Sequence, residues 1–427
     1  MKEEWDGVDN WRGTWNGNGA SFGLNFSSFV EHRDGPEAEV VAWVQPEGIK
    51  QSATLSQSLV KLLGPNVKRD LARSLSEKTR GNEYPWGDVI EIACQRSLAC
   101  YRTGKAPVNL KEVAPMPQEW VIANFLPDRV TSSIFSDGAS GKSMLMTACA
   151  IAVATGHKIG PFTPLICGPV LILNAETDEY EYAERVRRIC AGHNTEVPDN
   201  LFHQEQMRPL VQSVRAIKSL VNDTNPVFSI LDSAGALSHG SLNADEIANA
   251  MSQAIRQCFQ EIPRVLVTHT SKANAGSESG IGSSIGSVYF KNYSRSQWEA
   301  KRDKESSKTD FNIGLYHRKS NRGPELPDIS TRLQFSDPGG PIKISSTRVG
   351  DNLELAMFSG SSESRIRAFL RRGQVADTHD LLIATGISPS TFLRLKSRMP
   401  DLQVLEGGGG RNRRQQVRLL DLYHQTP

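Results

Sequence analysis

The sequence predicts an α/β fold: a mainly parallel sheet covered by helices on both faces, with a smaller module at each end. Three observations carry this. The stretch Ser136-Asp137-Gly138-Ala139-Ser140-Gly141-Lys142-Ser143 joins a short apolar run, Val130 to Phe135, to a long one, Met144 to Ala154, which reads as strand, small-residue turn, helix. Short β-branched or aliphatic runs then alternate with helical stretches from Trp120 onward, as a parallel sheet with crossover helices requires. Composition changes before residue 110 and after 355.

Taken in order, residues 1–110 are weakly periodic. Four of the seven tryptophans (Trp5, Trp11, Trp15, Trp43) lie there among many Gly and Asn, predicting a small β-rich module or an arm that packs onto a neighbour. Residues 54–80 and 86–104 read as helices separated by Glu83-Tyr84-Pro85, and Pro107 with Ala114-Pro115-Met116-Pro117 marks a linker. The domain predicted over 118–350 has strands at Val130–Phe135, Val170–Leu173, Val227–Leu231, Val265–Val267 and Phe311–Tyr316, and helices at 142–155, 178–191 and 244–260. Residues 295–310 read as a solvated connection. Residues 361–427 carry eleven Lys/Arg against six Asp/Glu. They read as helices Glu363–Arg371 and Thr378–Thr385, a helix capped by Ser388 and running to Arg398, and a hairpin, Leu402–Leu405 with Gln416–Leu420, around a basic loop at Arg411, Arg413 and Arg414. That is the order of a winged helix-turn-helix.

A net charge of +2 names no partner. Six scattered cysteines without Cys-x-x-Cys spacing argue against a metal or disulfide scaffold. The polar start and the absence of an apolar run long enough to span a bilayer predict a cytoplasmic protein with no membrane contact.

The chemistry centres on the turn. Small residues at Gly138, Ala139, Ser140 and Gly141 let backbone N–H groups converge on phosphate oxygens. Lys142 reaches the β- and γ-phosphates, the Ser143 hydroxyl ligates Mg²⁺, and Met144 opens the helix behind them. The pattern G-x-x-x-x-G-K-[ST] is met except at its first position, where Ser136 stands, a change that could weaken binding. ATP with Mg²⁺ is the expected ligand. Glu176, ending the run Val170 to Glu176, is placed to polarise the attacking water, or is an acid at the start of the following helix. Asp232, ending Val227–Leu231, can hold the Mg²⁺ shell opposite Ser143. His269, ending the next strand, senses the γ-phosphate or is a satisfied polar residue. The basic run His317-Arg318-Lys319-Ser320-Asn321-Arg322-Gly323 offers Lys319 and Arg322 as cations for a neighbouring subunit's γ-phosphate, or is a solvated turn. The Gly- and Ser-rich stretch from Ala273, with Lys291 beyond it, could grip a phosphodiester backbone, as more weakly could Ser238–Ala244.

These motifs, in this order, resemble the RecA-like ATPases of the RepA-like hexameric helicase group over about residues 120–323. The carriers are Trp120 to Leu126 before the loop, the loop itself, Asn174-Ala175-Glu176, Ile230-Leu231-Asp232, Thr268-His269 with Gly282-Ser283-Ser284, and Lys319-Ser320-Asn321-Arg322-Gly323. The resemblance implies a RecA-like P-loop core, a homo-oligomeric ring of six with ATP at subunit interfaces, and single-stranded DNA in the centre, gripped around Ala273–Lys291. The expectation is a DNA-translocating or unwinding ATPase that acts in replication of a plasmid, phage or mobile element. Its 361–427 module would bind duplex DNA or protein. The alternatives are a DNA-dependent ATPase that loads or recruits partners without unwinding, and a nucleotide-gated scaffold.

Overall fold

The computed structural model describes residues 1–7, 10–79, 84–104, 107–115, 117, 119–270, 286–303, 307–336, 338–359, 361–370, 375–405 and 416–420. The chain divides into two compact units, Met1–Met116 and Pro117–Pro427.

In the first unit, strands β1 (Lys2–Trp5), β2 (Trp11–Gly17), β3 (Ala20–His32), β4 (Gly35–Pro46) and β5 (Ala53–Lys61) form an antiparallel meander, followed by helices α1 (Pro65–Lys78) and α2 (Trp86–Thr103). Asn18 and Gly19 take φ of 53° and 69° and make the two-residue turn between β2 and β3. That is the left-handed pair a tight hairpin requires. Trp11 and Trp43 are buried, and Trp5 and Trp15 pack against the same core as α1 and α2. The helix expected over 54–80 is therefore corrected. Its first part is β5, which pairs antiparallel with β4 and alternates exposed and covered residues, and the helix begins only at Pro65, which is suited to a first turn.

The second unit opens with a short hairpin, β6 (Trp120–Ile122) and β7 (Leu126–Pro127). Its centre is a nine-stranded sheet in the order β10-β9-β11-β12-β8-β13-β14-β15-β16. Five adjacent pairings, from β10 to β13, are parallel and the last three are antiparallel. The parallel strands are β8 (Thr131–Ser136), β9 (Val170–Asn174), β10 (Leu201–Glu205), β11 (Phe228–Asp232), β12 (Arg264–His269) and β13 (Ser296–Arg302). Alternate residues go to opposite faces. Ile172, Ile230 and Val265 join the core under α3 (Lys142–Thr155) and α4 (Glu179–Gly192). Leu171, Leu173, Leu231 and Leu266 join the core under α5 (Val214–Thr224) and α7 (Asp245–Phe259). Helix α3 is buried from Leu145 to Ala154, which is why its sequence is apolar all round. Two short helices, α6 (Ala234–Leu237) and α8 (Val288–Tyr293), follow β11 and precede β13.

Residues 296–302 of the expected solvated connection form a buried strand instead, while 307–309 are exposed as expected. Ser296–Arg302 is β13, buried beside β8, with Trp298 fully covered and its indole N–H donating to the Phe125 carbonyl at 3.1 Å. Its charged residues are satisfied inside the fold: Glu299 is held by Arg318 at 2.8 Å and Lys301 at 2.9 Å. Strands β14 (Asp310–Ser320), β15 (Ile329–Phe335) and β16 (Ile342–Thr347) complete the sheet.

Beyond the sheet, α9 (Leu353–Met357) leads to α10 (Ser362–Phe369), β17 (Val375–Asp377), α11 (Thr378–Thr385), α12 (Pro389–Lys396), β18 (Leu402–Leu405) and β19 (Gln416–Leu419). The three strands form one antiparallel sheet, and the helices close over a core of Ile366, Leu381, Phe392 and Val417. Ser388 caps α12 by accepting from the Thr391 N–H at 3.2 Å. The loop with Arg411, Arg413 and Arg414 lies outside the described residues.

Candidate active site

The carboxyl ends of parallel strands line the ligand crevice in such sheets, and four neighbours, β9, β11, β12 and β8, end here in chemistry-bearing residues. The turn after β8 bends into α3 through Ala139 (φ 57°) and Gly141 (φ 90°). A side chain at Gly141 would collide with Ile313 Cδ1, 2.6 Å from where its Cβ would stand, so this glycine is required twice over. Ser136, the departure from the motif, is not among the residues with positive φ, and it is fully buried. Its hydroxyl takes a hydrogen bond from Lys142 Nζ at 2.6 Å, beside the carbonyls of Ser136 (3.2 Å) and Asp137 (3.0 Å). Burial pushes the Lys142 ammonium down to about 8, against the opposing pull of Asp232 and Glu176. Serine is thus built into the lysine's seat.

Asn174 shapes the end of β9. Its side-chain oxygen accepts the N–H groups of Glu176 at 2.8 Å and Thr177 at 2.9 Å, an Asx turn that swings Glu176 over the cavity. Asp178 then caps α4 by accepting from Glu181 N–H. The Glu176 carboxylate meets the Ser233 hydroxyl and lies 3.7 Å from His269 Nε2. Asp232 is 4% exposed, hydrogen-bonded to Ser143, and its Oδ1 has no partner. Burial raises its carboxyl above the ordinary carboxylate value, with the Ser143 hydroxyl acting against that.

Lys142, Ser143, Met144, Glu176, Asp232 and His269 all line one cavity of about 650 Å³, with Ala139, Ser140 and Gly141. This is an ordinary size for a small-molecule site. Gly138, in the same turn, has open space where a side chain would stand. The structure adds residues that the motifs did not name. Arg185 and Arg188 of α4 line the cavity, and Arg185 Nε and Nη1 are buried without partners among the described residues. On the far side stand Arg302, Lys308, Phe311 and Phe335. Phe311 and Phe335 stack at 5.8 Å, and the Arg302 guanidinium lies 3.5 Å above the Phe311 ring. No sequence signal marks these, because they come from β13, β14, β15 and the connection before β14, whose placement against the turn is a tertiary property. The helical arginines could have been found from the 3.6-residue spacing of Glu181, Arg185 and Arg188 on α4.

Lys319 and Arg322 do not line this cavity. Lys319 donates to the Lys291 carbonyl at 3.0 Å, and burial lowers its ammonium. Arg322 is exposed, donates to the Asp128 carbonyl at 2.9 Å and borders a separate hollow beside Trp120 and His317. Arg318 is bound to Glu299 and to the Phe358 carbonyl. Of the stretch Ala273–Lys291, residues 273–285 lie outside the described residues, as do Gly282-Ser283-Ser284. Lys291 sits on α8, and Tyr289 there is 56% exposed.

Residues 99–275 match the family model of an AAA domain. The match takes in the turn, Glu176, Asp232 and His269, and this part of the chain is a P-loop ATPase. No curated protein matches the chain. Among the described residues, no helix is long and apolar enough to cross a membrane.

Proposed function

We propose that this chain is an ATP-hydrolysing motor that assembles as a six-membered ring, binds single-stranded DNA in its centre and translocates or unwinds DNA in replication of a mobile element. The observation that carries the reading is the meeting of Lys142, Ser143, Glu176, Asp232 and His269 at the ends of four adjacent parallel strands, with Lys319 and Arg322 outside that cavity. Such a site contains what cleavage needs from one subunit and leaves the cations of the 318–322 run for a second copy.

The residues fit a small divalent cation. The Asp232 oxygen without a partner and the Ser143 hydroxyl are hard oxygen donors of the kind Mg²⁺ takes. Ser143 and Asp232 would hold it, and when bound it would neutralise phosphate charge. Lys142, with N–H groups of the turn, binds the β- and γ-phosphates, its charge now facing phosphate instead of carbonyls. Glu176 orients a water and takes its proton as the water oxygen bonds to the γ-phosphorus and the bridging P–O bond breaks. Arg302 and Phe311 offer a flat cationic and aromatic wall for the nucleobase. The basic 361–427 module, with Arg394 and Lys396 in the last turn of α12 and exposed Arg398 just beyond it, is the proposed contact for duplex DNA or a partner protein.

The test is ATP hydrolysis with and without single-stranded DNA, beside Lys142→Ala. DNA-stimulated turnover that the variant loses supports the motor, and strand separation on a forked duplex then divides helicase from loader. ATP binding with no turnover under either condition would replace the motor with a nucleotide-gated scaffold.

A further inference from the structure

We infer that Ser233 is a positioning residue for the Glu176 carboxylate, a role that rests on the reading of Glu176 as general base. Ser233 occupies the N-cap of α6, where a serine oxygen ordinarily accepts a backbone N–H from the helix's first turn. Here it makes no such bond. Its hydroxyl donates instead to Glu176 Oε1, on a different strand and 57 residues away in sequence. Ser233 is 2% exposed, so bulk water does not compete for that proton. A buried hydroxyl that leaves its own helix uncapped in order to reach a carboxylate is serving the carboxylate.

The backbone on both sides of this bond is tied. The Ala175 N–H donates to the Asp232 carbonyl at 2.8 Å, linking the residue before Glu176 to the residue before Ser233. Asn174 fixes the Glu176 N–H from the other side. His269 Nε2 approaches the same Oε1 at 3.7 Å. Both polar neighbours therefore address one carboxylate oxygen, leaving Oε2 to receive the proton. In the step, the water O–H bond breaks toward Oε2, the new O–P bond forms, the bond from γ-phosphorus to the bridging oxygen breaks, and ADP leaves with that electron pair. Ser233 keeps its proton throughout and sets which oxygen is free.

The experiment uses the full chain and compares wild type, Ser233→Ala, Ser233→Thr, Glu176→Gln and the Glu176→Gln/Ser233→Ala double variant. Readouts are ATP turnover, binding of a fluorescent ATP analogue, retention of ADP with aluminium fluoride, and melting temperature. Ser233→Ala is expected to lower kcat roughly 10–100-fold, part of what a positioned base contributes. KM and analogue binding stay within about twofold, and retention of ADP with aluminium fluoride weakens. Ser233→Thr, which keeps the hydroxyl, restores kcat to within a few-fold, and Ser233→Ala adds nothing on top of Glu176→Gln. Wild-type kcat in Ser233→Ala would overturn the inference. So would a loss expressed in analogue binding or melting temperature rather than kcat, a failure of threonine to restore, or additivity in the double variant. Turnover by Glu176→Gln at the wild-type rate would instead remove the premise that Glu176 is the base.

Discussion

The two flanks of the nine-stranded sheet meet at β8 and contribute in different ways. On the parallel flank, β11 and β12 end in Asp232 and His269, and Glu176 follows in the turn after β9, so one residue of register decides each position. On the other flank, Arg302 at the end of β13, Phe311 on β14 and Phe335 on β15 build a wall by stacking. In the proposed reading, the first flank supplies charge at the phosphate end and the second supplies area at the base end. Charge acts on the reaction itself, whereas area acts on residence in the site.

That division can be broken or sharpened by substitution. Lys142→Ala, on the parallel flank, is expected to lower turnover by more than about a hundredfold, since an electrostatic contact to the reacting group is typically worth that much. A surviving wild-type rate would break the comparison. Phe311→Ala, on the other flank, should raise KM for ATP about tenfold, or ~1.4 kcal/mol, with kcat nearly unchanged. A kcat effect as large as that of Lys142→Ala would merge the two flanks.

The pH profile separates them further. Burial holds the Lys142 ammonium down to about 8, against an ordinary value of 10.5. Only its charged form binds phosphate strongly, so KM should climb as pH rises through 8, by up to roughly tenfold per unit, and this climb should vanish in Lys142→Ala. The stability term has the opposite sign. Holding a desolvated cation costs the fold its full amount below about 8, and the cost disappears as pH rises toward 10.5, where this lysine also loses its proton in the unfolded chain. Melting temperature should therefore gain over that window while affinity falls.

The smallest effect on turnover is expected from Asn352→Ala. Asp303, 2% exposed, accepts from Asn312 Nδ2 at 2.9 Å and Asn352 Nδ2 at 2.8 Å. Removing one donor from a buried carboxylate should cost about 1–3 kcal/mol of stability, read as a lower urea midpoint, with ATP turnover at the working temperature preserved.

How far the sequence could be read follows the same division. The fully buried parallel strands β9 and β11 are mostly apolar and end where the crevice begins, so Val170–Asn174 and Phe228–Asp232 declare themselves and carry Glu176 and Asp232 with them. The β13 stretch hides because its partners are distant. Glu299 and Lys301 look solvated until Arg318, from the neighbouring strand, satisfies the carboxylate inside the fold. β5 hides for a different reason: its polar, weakly alternating face needs only β4 to pair with. Ser233 was legible as a residue but not as a participant, because the choice between capping a helix and reaching a carboxylate is made by backbone 57 residues away.

Tyr316 and Arg318 hand their hydrogens to the carbonyls of Leu355 and Phe358, while Asn352 gives one to Asp303. The last strands of the sheet therefore finish their bonding outside the sheet. A chain cut after residue 350 would keep every residue around the phosphates yet leave a buried tyrosine hydroxyl without its acceptor and Asp303 short of a donor. The ATPase portion is not a detachable part, and whatever pulls on the segment after 352 pulls on β14, whose other end carries Phe311 in the cavity lining.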